Sequence, residues 1–89
     1  MRTQLIKVGL WDDREKGEPG RDISSAWSVL SRLGCPGRYG GRTQDGLYEY
    51  VIVNPKTGSL MTSGKGVTLA VAMCKAALAA RALGESGLS

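Results

Sequence analysis

Residues Met61 to Gly84 read MTSGKGVTLAVAMCKAALAARALG, a Gly-Lys-Gly step set directly before an alanine-rich run. Two architectures compete for it: a phosphate-gripping loop that opens onto a helix, or a plain, flexible helix entrance. A Walker A loop places a glycine five residues before its Gly-Lys pair and a Ser or Thr after it, because the hydroxyl holds magnesium and the frame lets backbone amides wrap the phosphates. Those positions hold Ser59 and Gly66, and a chain of 89 residues lacks the parallel sheet and acidic metal strand of a nucleotide hydrolase. The motif is absent. A weaker candidate survives it, in which the amides of Gly64 and Gly66, the charge of Lys65 and the positive end of the next helix receive a small anion.

Thr68 is a good N-cap, and the run predicts a helix over residues 69–83 that stops at Gly84. On a helical projection, Leu69, Met73, Ala76, Ala80 and Leu83 form one stripe, and Val71, Cys74 and Leu78 form a second on a different side. One face must pack on a sheet. The second packs on another helix or on another subunit, which makes Val71, Cys74 and Leu78 candidate self-association residues and a dimer the favoured assembly.

The sheet is supplied just upstream. LYEYVIV, Leu47 to Val53, is rich in β-branched and aromatic residues, NPKTG is a turn, and SLMTS returns, so residues 47–63 predict an antiparallel hairpin. Toward the N-terminus, QLIKVGLW places Ile6, Val8 and Leu10 on one face at period two, predicting a strand over residues 4–11 with an N-terminal helix as the alternative. The charged segment 12–21, with Pro19 between glycines, reads as an exposed, mobile loop. Asp22 then caps a helix over residues 23–33 whose apolar stripe is Ile23, Ala26, Trp27, Leu30 and Leu33, with Trp27 expected in the core and Gly34 as the stop.

Residues 34–46 hold five glycines and a proline and read as a loop of no fixed shape. Arg38, Tyr39 and Arg42 in it, together with Tyr48, combine guanidinium groups with aromatic faces. That mixture stacks bases and holds phosphates, and it is also enriched at protein interface hot spots.

Composition narrows the function. The chain is 42 % hydrophobic and 22 % charged with a net charge of +4, values for a single folded domain spanning 1–89 that favours an anionic partner. It contains no histidine and only two cysteines, Cys35 and Cys74, outside any CxxC spacing. A zinc site of the usual ligands and a histidine-based catalytic triad are both excluded, and a non-enzymatic chain without metal or cofactor is expected. No segment has the length of a membrane span and no signal peptide is read, so a cytoplasmic protein with free thiols and a flexible tail over 85–89 is expected.

The blocks RDISSAWSVLSRLG, YEYVIV and GVTLAVAMCKAALAA resemble small bacteriophage proteins grouped as the phage ABA sandwich domain. The matching positions are Asp22, Ile23, Ala26 and Trp27 in the first helix, and Thr68, Ala72, Cys74, Ala76, Ala77 and Leu78 in the last. The likeness runs from about Gly20 to Leu83. It implies a helix, hairpin, helix order and a phage or prophage gene product with no established catalytic site. The expectation is thus an α+β domain, a small antiparallel sheet packed with two helices. Its expected role is a phage-type accessory protein acting by non-catalytic binding in the host cytoplasm, for instance on a CRISPR effector. The alternative is a nucleotide-binding protein that sequesters an anionic defence signal through Arg38, Arg42, Lys65 and the amides of Gly64 and Gly66.

Overall fold

The computed structural model describes residues 2–85, which run α1 (Arg2–Lys7), α2 (Ile23–Leu33), β1 (Gly37–Arg42), β2 (Tyr48–Val53), β3 (Leu60–Gly66) and α3 (Leu69–Glu85). The strands form an antiparallel meander in the order β1-β2-β3, so the class is α+β. Alternation along β2 turns Tyr48, Tyr50 and Ile52 toward the helices and Glu49, Val51 and Val53 away from them. Helix α3 lies on β3 and β2, α2 packs beside α3, and α1 touches the far side of α3.

The Gly-Lys-Gly step is not a loop. It is the last part of β3, where Gly64 pairs with Tyr50, Lys65 with Glu49 and Gly66 with Tyr48. A Cβ built on Gly64 would overlap the Ala76 amide and lie 2.5 Å from the Ala72 carbonyl oxygen; one on Gly66 would lie 2.8 Å from the Ala72 nitrogen. The two glycines and the alanines of α3 therefore let helix and strand backbones meet directly. Thr68 caps α3 as expected, its Oγ1 accepting the Val71 amide at 3.2 Å. The helix runs through Gly84 to Glu85 instead of stopping there, and the rest of the expected flexible tail lies outside the described residues.

Residues 4–11 form no strand. The alternative holds, because Gly9 at φ +80° supplies a left-handed helix stop: its amide donates to the Ile6 carbonyl at 3.1 Å and the Leu10 amide to the Leu5 carbonyl at 2.8 Å. This closure brings Leu5 and Leu10 together, both fully buried, and overrides the period-two stripe. The segment that follows is tied to the core despite its charges. Pro19 is fully buried and its carbonyl accepts the Cys74 thiol at 3.2 Å. Arg32 donates to the Leu10 carbonyl at 3.3 Å, pairs with Glu15 and lies 5.3 Å from the centre of the Trp11 ring.

Residues 34–46 do have a fixed shape. They contain β1 and a tight return in which the Thr43 amide donates to the Leu47 carbonyl at 2.8 Å, with a bulge between Tyr39 and Gly41. The second stripe of α3 faces the chain itself: Cys74 is fully buried beneath Pro19, Val71 packs against Gly66, and Leu78 packs on the core. Cys74 is thus taken up within the chain, while Val71 and Leu78 are half-buried.

Gly64→Ala should cost about 2–3 kcal/mol or more, because α3 must lift off the strand. Gly58→Ala, where nothing lies within 4 Å of the added Cβ, should cost about 1 kcal/mol from its left-handed backbone alone. Urea denaturation distinguishes them, and equal losses would refute the close approach. Burial also pushes the Cys74 thiol from the ordinary 9.0 up to about 11. The folded state favours the neutral thiol, so this contribution is complete below about pH 9 and is lost as pH rises through about 11. The urea midpoint should fall more steeply over that interval than in Cys74→Ala. In the native protein, half-buried Cys35 should react with a thiol reagent while Cys74 reacts only on unfolding.

Candidate partner-binding site

Helix α2 buries Ser25, Ala26, Val29 and Leu30, which leaves the residues at the margin of its stripe uncovered. Trp27, expected in the core, is 53 % exposed, and Ile23 is 41 % exposed. The Trp27 ring meets the buried Tyr50 ring edge-on, at 6.4 Å between centres and 89° between planes. Tyr50 pairs across the sheet with Tyr39, itself 51 % exposed, whose ring lies 6.3 Å from that of Tyr48. Arg42 completes the row with its guanidinium 4.8 Å from the Tyr48 ring centre, and is held there by donating to the Gly46 carbonyl at 2.9 Å. An aromatic row thus runs from α2 to the free edge of β1.

A cleft of about 510 Å³ opens beside this row, between the end of α2 and the start of β1. Trp27, Leu30, Cys35, Pro36, Gly37 and Tyr50 line it. Gly37 keeps it open, since a Cβ there would sit 2.6 Å from the Tyr50 ring and 2.8 Å from the Val51 carbonyl oxygen. Burial raises the Tyr50 phenol above its ordinary 10.0.

The residues singled out from sequence are divided by this geometry. Tyr39 and Arg42 join the aromatic row, while Arg38 pairs with Val51 and faces the opposite side of the sheet. Lys65 also faces that opposite side, on the far strand across Glu49. Gly64 and Gly66 are buried, with ladder partners on β2 and α3 against their α-carbons. The anion set of Arg38, Arg42, Lys65 and the two glycines is therefore not assembled in one place. Ile23, Trp27, Gly37 and Tyr50 are the members sequence reasoning missed. One signal was available for α2: Ala26, Val29, Leu30 and Leu33 already make a complete i, i+3, i+4, i+7 stripe without Ile23 or Trp27.

A second groove, of about 480 Å³, is bordered by Ile6, Trp11, Asp12, Asp13, Glu15 and Arg32. Its charges are largely used within the chain: Glu15 pairs with Arg32, and Asp12 accepts the Arg14 amide at 2.9 Å, which lowers its pKa. Among the described residues, no three His, Cys, Asp or Glu side chains gather as metal ligands, and no helix is long and apolar enough to cross a membrane. Comparison with known protein families, curated proteins and solved structures finds no match to this chain.

The two tryptophans occupy opposite environments, Trp11 at 4 % exposure and Trp27 at 53 %. Acrylamide should quench the emission of the wild type through Trp27, and Trp27→Phe should leave a shielded emission from Trp11. Equal quenching of the two proteins would place Trp27 in the core and remove the site.

Proposed function

We propose that this chain is a non-catalytic binding protein whose partner, itself a protein, docks on the row formed by Trp27, Tyr39, Tyr48 and Arg42. The observation that carries this reading is the half-exposed Trp27 and Tyr39, linked through the rings of Tyr50 and Tyr48 on one side of the sheet. Trp, Tyr and Arg are the side chains that dominate binding energy at protein interfaces, because they bury large area at little entropic cost. The division of the basic residues between two sheet faces weakens the rival reading, in which a small anionic signal is sequestered.

The biological setting rests on the resemblance of Asp22 to Trp27 and of Thr68 to Leu78 to phage proteins. On that basis the chain acts stoichiometrically in an infected bacterial cell by occluding a component of antiviral defence, such as a CRISPR effector. An 89-residue chain suits such a role, since blocking a surface needs one interface and no catalytic machinery.

The test is a plaque assay on bacteria that carry a defence system directed at the infecting phage, with the chain expressed in trans. The wild type should restore plaquing in one member of a panel of defence systems. Trp27→Ala and Tyr39→Ala should each weaken engagement by about 30-fold and reduce plaquing, while Lys65→Ala leaves it unchanged. A panel in which no system is relieved sinks the anti-defence setting. Relief that survives the Trp27→Ala, Tyr39→Ala double variant sinks the site.

A further inference from the structure

The free edge of β1 carries backbone groups that the sheet does not use. At one end of the strand the Val53 amide donates to the Pro36 carbonyl at 2.8 Å, and at the other the Thr43 amide donates to the Leu47 carbonyl at 2.8 Å. Bonded and non-bonded pairs alternate in an antiparallel ladder, so the register makes Arg38 with Val51 and Gly41 with Glu49 the bonded pairs. Gly37, Tyr39 and Arg42 accordingly turn their amides and carbonyls away from β2, and no partner strand lies there among the described residues.

We propose that β1 receives an extended segment of the partner protein as a fourth strand, with the sequence pattern apolar, acidic, apolar. This rests on the reading of the aromatic row as the partner site and specifies how that site is used. Strand addition draws affinity from main-chain bonds and specificity from pockets for alternate side chains. Side chains of the added strand beside Gly37 and Tyr39 project to the helix side, toward the cleft walled by Trp27, Leu30 and Tyr50. That cleft takes an apolar side chain. The intervening side chain projects to the opposite face beside exposed Arg38, the outermost charge there, with Glu49 one strand further in. An acidic side chain complements it.

The bulge between Tyr39 and Gly41 breaks the regular register, so the added strand pairs with the short stretch Gly37 to Tyr39 and does not extend into an open-ended template. The other edge strand, β3, lies under α3 and presents exposed Lys65, which discourages edge pairing.

The experiment is selection from a random short-peptide display library against the full chain, with amide shifts of the bound consensus peptide followed by NMR. The expected result is an apolar, acidic, apolar consensus that shifts the amides of Gly37 and Tyr39. Tyr39→Pro removes an outward amide that the sheet does not use and should weaken the peptide at least about tenfold, while Tyr39→Phe binds like the wild type. Arg38→Glu, an exposed change that stays folded, should replace the acidic position by a basic one on reselection. Three outcomes overturn the proposal: no consensus, a consensus whose shifts fall on β3, or unchanged selection on Arg38→Glu. An oligonucleotide that shifts these amides when no peptide is selected overturns it in favour of a stacked single strand. Loss of plaquing in the Trp27→Ala, Tyr39→Ala variant without any peptide consensus removes strand addition alone and leaves the partner site standing.

Discussion

The contact of α3 with β3 is the constraint on which the rest of the structure depends. Gly64 and Gly66 place no side chain between strand and helix at two successive positions of the strand face, and Ala72 and Ala76 keep the facing helix surface thin. Backbones that meet this closely exclude water from a strip that larger side chains would have filled, and they gain dispersion contacts along its length. The helix position is set by this contact, and neighbouring elements are placed around it. Cys74 is then turned toward Pro19 of the N-terminal segment, while Met73 and Ala77 lie wholly within the core. A chain this small has one core, and the glycine strand decides where it lies.

The same contact explains where sequence reading succeeded and where it failed. The hairpin around NPKTG, the Asp22 and Thr68 caps and the Gly34 stop were legible, because each depends on side chains acting locally. Asp22 accepts the Ser24 amide at 3.2 Å and the Ser25 hydroxyl at 3.1 Å, a device visible in four residues of sequence. The strand character of Gly64 to Gly66 was not legible. Glycine has low strand propensity, and its value here lies in a helix that arrives from the other side of the turn. Strand β1 was hidden for the same reason, since its GRYGGR sequence is recruited by pairing with β2 rather than by its own preference.

The candidate site was half legible for a related reason. Arg and Tyr in a glycine-rich stretch marked residues 38–42, but the parity that separates Arg38 from Tyr39 and Arg42 appears only once that stretch is a strand. Trp27 was misplaced because a wide helical stripe does not reveal its own centre. In the fold, α2 packs beside α3 and buries Ala26, Val29 and Leu30, while Trp27 stays half-exposed with its ring perpendicular to that of Tyr50. An exposed tryptophan in edge contact with a buried tyrosine differs from a stray surface aromatic, because that contact favours one orientation of the ring.

The N-terminal half supplies the remaining logic. Segment 8–22 is polar in composition but is fastened at three points: the Leu5 and Leu10 closure of α1, Pro19 over Cys74, and Arg32 against Trp11, Leu10 and Glu15. These contacts cover Cys74 of α3 from the N-terminal side, and they engage Glu15 of the acidic cluster in doing so. Burial there leaves the aromatic row and the β1 edge as the surface that combines large exposed rings, a cleft and unused main-chain groups. A small basic domain that spends its glycines on a tight helix contact and its acids on an N-terminal wrap keeps its binding chemistry where α2 meets β1.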